Sequence, residues 1–222
     1  MTAILLFLAV IAAIIGWWLS RQGLMTKPWL EVGLVDEAPA AGPSPAPPAK
    51  VGLWVFLAVV GALLTLFTSA YLMRMHMSHD WRSLPLPKVL WVNTGVLALS
   101  SFALHRARLA AQGGWREGVG IDLLAGGLSA LVFLAGQLLA WRQVMAEGFL
   151  VAANPASSFF YLITAVHGLH LAGGLVALGR TAIRTWRGLD LEQLRLSVEL
   201  CATYWHFLLV AWLVLFGLLL HG

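Results

Sequence analysis

Charge-free runs of membrane-spanning length recur six times in this chain, at residues 3–19, 51–73, 89–104, 123–141, 157–179 and 200–220. A hydrocarbon core of about 30 Å takes about 20 apolar residues of helix, so each run qualifies, or nearly does, as a span. Lipid offers no partner for backbone N–H and C=O groups, and helix is the form in which a single run satisfies its own. With 60% apolar and 11% charged residues over 222 positions and a mean hydropathy of +0.83, the chain holds more apolar surface than a water-facing core could bury. The expected fold class is an all-α integral membrane protein with six transmembrane helices.

The run at 3–19 has no basic residue before it and leads into Trp17, Trp18 and Arg21, which fits a retained helix better than a cleaved signal peptide. Residues 1–20 are therefore expected to form an N-terminal transmembrane helix, 21–50 a Pro/Ala-rich cytoplasmic linker, and 51–222 a five-helix core. Prolines 39, 43, 45, 47 and 48 keep the second half of the linker extended. Ten of the 14 lysines and arginines fall in the first, third and fifth gaps between runs, and four in the second and fourth. That bias places both termini on the periplasmic side. Basic residues confined to such gaps encode topology and grip headgroups, so the net charge of +4 is no sign of nucleic acid. A single cysteine, Cys201, excludes an intrachain disulfide and a cysteine metal cluster.

Polar side chains inside a bilayer are costly, so each one within a span is a functional candidate. Asn93, His105, Gln137, His167, His170, Glu199 and His206 form that set, and Asp122 and Glu199 are expected at helix ends where water or headgroups solvate them. His167 and His170, three apart, share a helical face, and His206 lies in the last run within Tyr204-Trp-His-Phe207. Counted at ~1.5 Å per residue, His170 and His206 reach similar depths. Two imidazoles at one depth on facing helices can hold a b-type haem. The same histidines can instead be hydrogen-bonding contacts between helices or to headgroups, worth about 0.5–2 kcal/mol each, and the residues favour this structural reading. No carboxylate or thiolate stands near them to complete a zinc or copper shell. Met75, His76, Met77 and His79 form a copper-like run just outside a span, with no further ligand in reach. Glycines 126, 127, 136, 168, 173 and 174 suit close helix approach. The sequence holds no phosphate loop, no nucleophile with its base, and no buried carboxylate pair to shuttle protons.

Ser158-Phe-Phe-Tyr-Leu-Ile-Thr-Ala-Val-His167-Gly-Leu-His170-Leu-Ala-Gly-Gly174 resembles the signature of subunit III of haem–copper cytochrome oxidases. Glu199, followed by Tyr204-Trp205-His206-Phe207 and Trp212, is similar to that family's last-helix signature. Lys50-Val-Gly-Leu-Trp-Val-Phe-Leu-Ala58 looks like the start of its core, and Asn93-Thr, Ser100-Ser101 and Gln137 match weaker signals between. The resemblance covers about residues 50–221.

The resemblance implies a non-catalytic chain with no cofactor and no metal of its own, haem and copper residing on partner subunits. It implies subunits I and II of a bacterial terminal oxidase as partners, with phospholipids held between helices. The complex would oxidise cytochrome c, reduce oxygen to water and pump protons across the cell's inner membrane, while this chain stabilises subunit I and supports proton uptake. His167, His170 and His206 become structural or lipid contacts, Glu199 the one matched acid, and Arg184, with Arg180 a turn earlier, a headgroup contact. Asn93, Gln137, Tyr204 and Trp205 are family-signature positions. Acids that many members carry are replaced here by Val60, Ala140 and Leu209. A subunit III-like component of a quinol oxidase or nitric oxide reductase is the alternative, and an independent b-haem electron carrier a more distant one.

Overall fold

The computed structural model describes residues 47–77, 80–151, 154–188 and 191–222. All of the described residues belong to one compact unit, Ala46–Gly222. The helix expected at 3–19 and most of the linker expected at 21–50 lie outside the described residues.

Five helices make up the described fold: α1 (Pro48–Met77), α2 (Val89–Gln112), α3 (Arg116–Ala146), α4 (Pro155–Trp186) and α5 (Leu191–His221). Each reaches beyond the apolar run that predicts it, by up to nine residues at its N-terminal end. A 30-residue helix such as α1 is ~45 Å long, so its ends continue past the ~30 Å hydrocarbon core, where charged residues are tolerated. α1 begins at Pro48, inside the expected linker, because proline at a first helical position gives up no intrahelical hydrogen bond. Four helical stretches, Pro48–Met77, Arg116–Ala146, Pro155–Trp186 and Leu194–His221, are long and apolar enough to cross a membrane. α2 is not among them, having Asn93, Ser100, Ser101, His105, Arg106 and Arg108 within 24 residues.

Short connections make successive helices antiparallel. α2 turns into α3 through Gly114, whose φ of 78° is a left-handed conformation that glycine adopts without strain. α4 opens on a capping box: Asn154 Oδ1 accepts from the Ser157 amide at 3.1 Å, and Ser157 Oγ accepts from the Asn154 amide at 3.3 Å. Among the described residues α5 is the central element, packed on α2, α4 and α1, while the backbone of α1 approaches only α5 and α4.

The α2–α3 seam is the tightest. A Cβ at Gly126 would stand 2.9 Å from Leu104 Cδ2, and one at Gly136 would run into the Asn93 side chain. Gly174 gives the same close approach between α4 and α5, where a Cβ would meet Tyr204 at 2.7 Å and Trp205 at 2.9 Å. Trp205, Trp212, Phe133 and Phe160 fill the interior. The outer surface is apolar: Leu66, Leu99, Leu128 and Leu169 are each more than 60% exposed. A water-soluble monomer rarely presents such faces, whereas lipid solvates them.

Candidate functional site

The polar side chains of α2 are matched, residue by residue, to the helices that cover them. Asn93 Nδ2 donates to Phe133 O at 3.3 Å. Ser100 Oγ donates to Gly126 O at 2.7 Å and accepts from Trp205 Nε1 at 2.8 Å. Ser101 Oγ lies 2.6 Å from His206 Nδ1, and Thr94 Oγ1 accepts from Trp212 Nε1 at 2.9 Å. The bonded positions, Asn93/Thr94 and Ser100/Ser101, lie seven residues apart, two turns along one helix face. A second, smaller set joins α3 to α4, where Trp141 Nε1 donates to Thr164 Oγ1 at 2.9 Å. In a bilayer no hydrophobic force holds helices together, so these bonds and the glycine contacts carry the association.

At the arginine-rich end, Glu199 of α5 gathers two cations from two other helices. Lys50 Nζ of α1 lies 2.9 Å from its carboxylate, and Arg108 Nη2 of α2 lies 3.7 Å away. Arg195 Nε donates to Ala111 O at 3.0 Å and its Nη2 to Gln112 O at 3.2 Å, which satisfies end carbonyls of α2. Asp122 was expected at a helix end. It is instead buried inside α3, which starts at Arg116, with Arg106 Nε 3.6 Å from its carboxylate.

The three histidines of the signatures are not brought to one point. His167 is 4% exposed, its ring lying against Phe133 at 5.7 Å and Trp212 at 5.1 Å between centroids. His170 donates from Nδ1 to Val166 O at 2.8 Å and faces Phe56 of α1 at 6.4 Å. His206 faces α2, where it meets Ser101 and, at 5.6 Å, the ring of His105. The reason is angular: Tyr204 of α5 points to α4, its hydroxyl donating to His170 O at 2.9 Å, and His206, two residues on, projects about 200° round the helix. Two imidazoles turned to different neighbours do not form an axial ligand pair. Among the described residues no group of three or more His, Cys, Asp or Glu could hold a metal ion. His79, of the copper-like run, lies outside the described residues.

Between α1, α4 and α5 runs an apolar groove of about 440 Å³, with Phe56, Gly173, Ala177 and Tyr204 among its walls. Arg180 and Arg184, both exposed, lie seven residues beyond Gly173 and Ala177, hence on the same side of α4. The sequence reading singled out the histidines, Glu199, Tyr204 and Trp205, but it missed the cationic partners of Glu199 and the burial of Asp122. Lys50 was read as a topology marker and as the first residue of a family-like stretch, and Arg108 as a topology marker alone, neither as a partner of Glu199.

The profile of the family described as cytochrome c oxidase subunit III matches residues 51–221. A probable cytochrome c oxidase subunit 3 of Mycobacterium tuberculosis is 32% identical over 123 residues, 55% of this chain and 61% of that protein. The cytochrome c oxidase subunit 3 of Thermostichus vulcanus is 30% identical over 177 residues, 76% of this chain and 85% of that protein. The cytochrome bo(3) ubiquinol oxidase subunit 3 of Pseudomonas aeruginosa is 26% identical over 174 residues, 74% and 80% of the two chains. The matched region thus spans about three fifths of the mycobacterial relatives' length.

Proposed function

The chain belongs to the cytochrome c oxidase subunit III family, and on that premise we propose that it is the non-catalytic third subunit of a bacterial haem–copper terminal oxidase. Subunits I and II are its partners and carry the haem and copper. The complex oxidises cytochrome c, reduces oxygen to water and pumps protons, and this chain stabilises subunit I and supports proton uptake. The observation that carries the reading is the placement of the two signatures. His167–Gly174 on α4 and Glu199–Trp212 on α5 pack on one another through Gly174, Tyr204 and Trp205, contacts that support a scaffold role for both signatures.

The chain spans the inner membrane with six helices, a five-helix core and an N-terminal helix joined by a cytoplasmic linker, both termini being periplasmic. Phospholipid occupies the groove between α1, α4 and α5. Its tails lie along Phe56 and Gly173, with the headgroup at Arg180 and Arg184, an arrangement that apolar walls and nearby guanidinium groups suit. His167, His170, His206, Asn93 and Gln137 act as polar contacts within the scaffold. The likeness to a ubiquinol oxidase subunit 3 supports a second reading, the same role in a quinol-oxidising complex, since this chain need not touch the electron donor.

Deleting the chain tests the role. Membranes without it should keep the haem spectrum of the oxidase and lose activity progressively during sustained turnover. Undiminished activity through prolonged turnover would refute the stabilising role.

A further inference from the structure

We infer that α1 is a hinged gate on the groove, pinned at its Tyr71 end and latched at its Lys50 end by the ion pair with Glu199. Of the 30 residues of α1, Leu57 and Tyr71 alone are buried. From Leu53 to Phe67 its inner face borders unfilled space. Leu53 and Phe56 line the groove of about 440 Å³, and Val60, Leu64 and Phe67 line a further cavity of about 50 Å³ between the same three helices. A Cβ at Gly61 would find its nearest neighbour, on Phe207, 4.0 Å away, whereas Gly126 and Gly174 leave no such room. Membrane helices associate through van der Waals packing and polar contacts, and atoms that face a void forfeit the former. The middle of α1 is therefore loosely held, and its ends decide its position.

Those ends differ in kind. At one, Tyr71 is 2% exposed, its ring T-shaped against Trp81 of the α1–α2 connection and Phe159 of α4, with centroids 5.1 and 5.5 Å apart. Trp81 Nε1 donates to Gly222 O, at the end of α5, at 3.2 Å, and a Cβ at Gly222 would run into the Tyr71 hydroxyl. At the other end, the Lys50–Glu199 pair is 2.9 Å long and about a third exposed on both sides. Such a pair is weak and is screened by salt. Its release strands no charge, because Arg108 stays 3.7 Å from Glu199 and Lys50, in the first turn of α1, reaches water or headgroups. Val55 lies 16 residues before Tyr71, ~24 Å along the helix. A tilt of about 10° about Tyr71 moves Val55 by ~4 Å and opens the groove along its Leu53–Phe56 edge. That opening admits the phospholipid tail of the reading above, but the pivot itself does not rest on what fills the groove.

Spin labels on the full chain in a lipid bilayer, with Cys201 replaced by Ser, test the hinge. A pair at Val55 and Leu109 reports the latched end, and a pair at Met73 and Trp91 the pinned end; all four sites are exposed. Lys50→Gln should shift the first distance by about 4 Å and leave the second as in the parent, and Lys50→Arg should restore it. High salt should produce the same shift in the parent, a readout that needs no variant at Lys50. An unchanged Val55–Leu109 distance in Lys50→Gln would overturn the inference. So would equal shifts at both pairs, which mean that α1 leaves as a whole. Neither result touches the lipid reading, which the lipid retained at Arg180 and Arg184 decides separately.

Discussion

Removing the Ser100 hydroxyl should weaken the junction of three helices. Ser100 is fully buried and its Oγ is bonded to Gly126 O of α3 and Trp205 Nε1 of α5. Ser100→Ala loses both bonds and strands the Trp205 N–H, on a ring that is itself fully buried. Gly126 O retains its helical N–H partner, so the stranded indole dominates. A side-chain hydrogen bond between membrane helices is worth about 0.6–1.7 kcal/mol, and a buried unsatisfied donor costs about 1–3 kcal/mol. The expected loss is about 2–4 kcal/mol. Reversible unfolding of the purified full chain in mixed micelles, followed by Trp fluorescence or helix content, measures it. Trp205→Phe completes the cycle: it removes the donor, so Ser100→Ala should cost about 1–2 kcal/mol less in that background than in the parent. Additive effects, with coupling within about 0.3 kcal/mol of zero, would refute the claim that this bond joins α2 to α5.

Gly136→Ala places a methyl group against Asn93 and should destabilise by about 1–3 kcal/mol, a loss that Asn93→Ala partly restores in the same unfolding assay. Gly174→Val meets Tyr204 and Trp205 and should cut the yield of chain extracted in assembled form, by quantitative immunoblot. Glu199→Gln leaves Lys50 and Arg108 without their carboxylate, but all three are about a third exposed. The cost should therefore stay below about 1 kcal/mol and vanish at high salt, which a salt series of unfolding curves checks. Replacing Arg180 and Arg184 together by Ala should reduce the anionic phospholipid that mass spectrometry finds retained on the purified protein.

The all-helical core was legible because lipid imposes a length and forbids charge, and the helices on 51–73, 123–141, 157–179 and 200–220 follow from that alone. Helix ends were less legible. Past the hydrocarbon boundary the apolar criterion lapses while the helix continues, which is how Asp122 came to be placed at an end when α3 starts at Arg116. α2 shows the other limit. Asn93, Ser100 and Ser101 lower its hydropathy, yet each finds a partner across a seam, and a one-dimensional sequence does not say which helix supplies it. Residue count speaks to depth along a helix and says nothing of azimuth. His170 and His206 share a depth on counting and face different neighbours in the fold, since their orientation follows from which side of α5 packs on α2. The pairing of Lys50 with Glu199 joins residues 149 positions apart, beyond any local pattern.

A mild-detergent pull-down on the tagged chain, with mass spectrometry and a reduced-minus-oxidised spectrum of the eluate, tests the central claim most directly. The account predicts large haem–copper oxidase subunits in the eluate and haem absorbance that scales with them, vanishing when the chain is isolated from them. A haem spectrum carried by the chain alone, or an eluate without oxidase subunits, would contradict it.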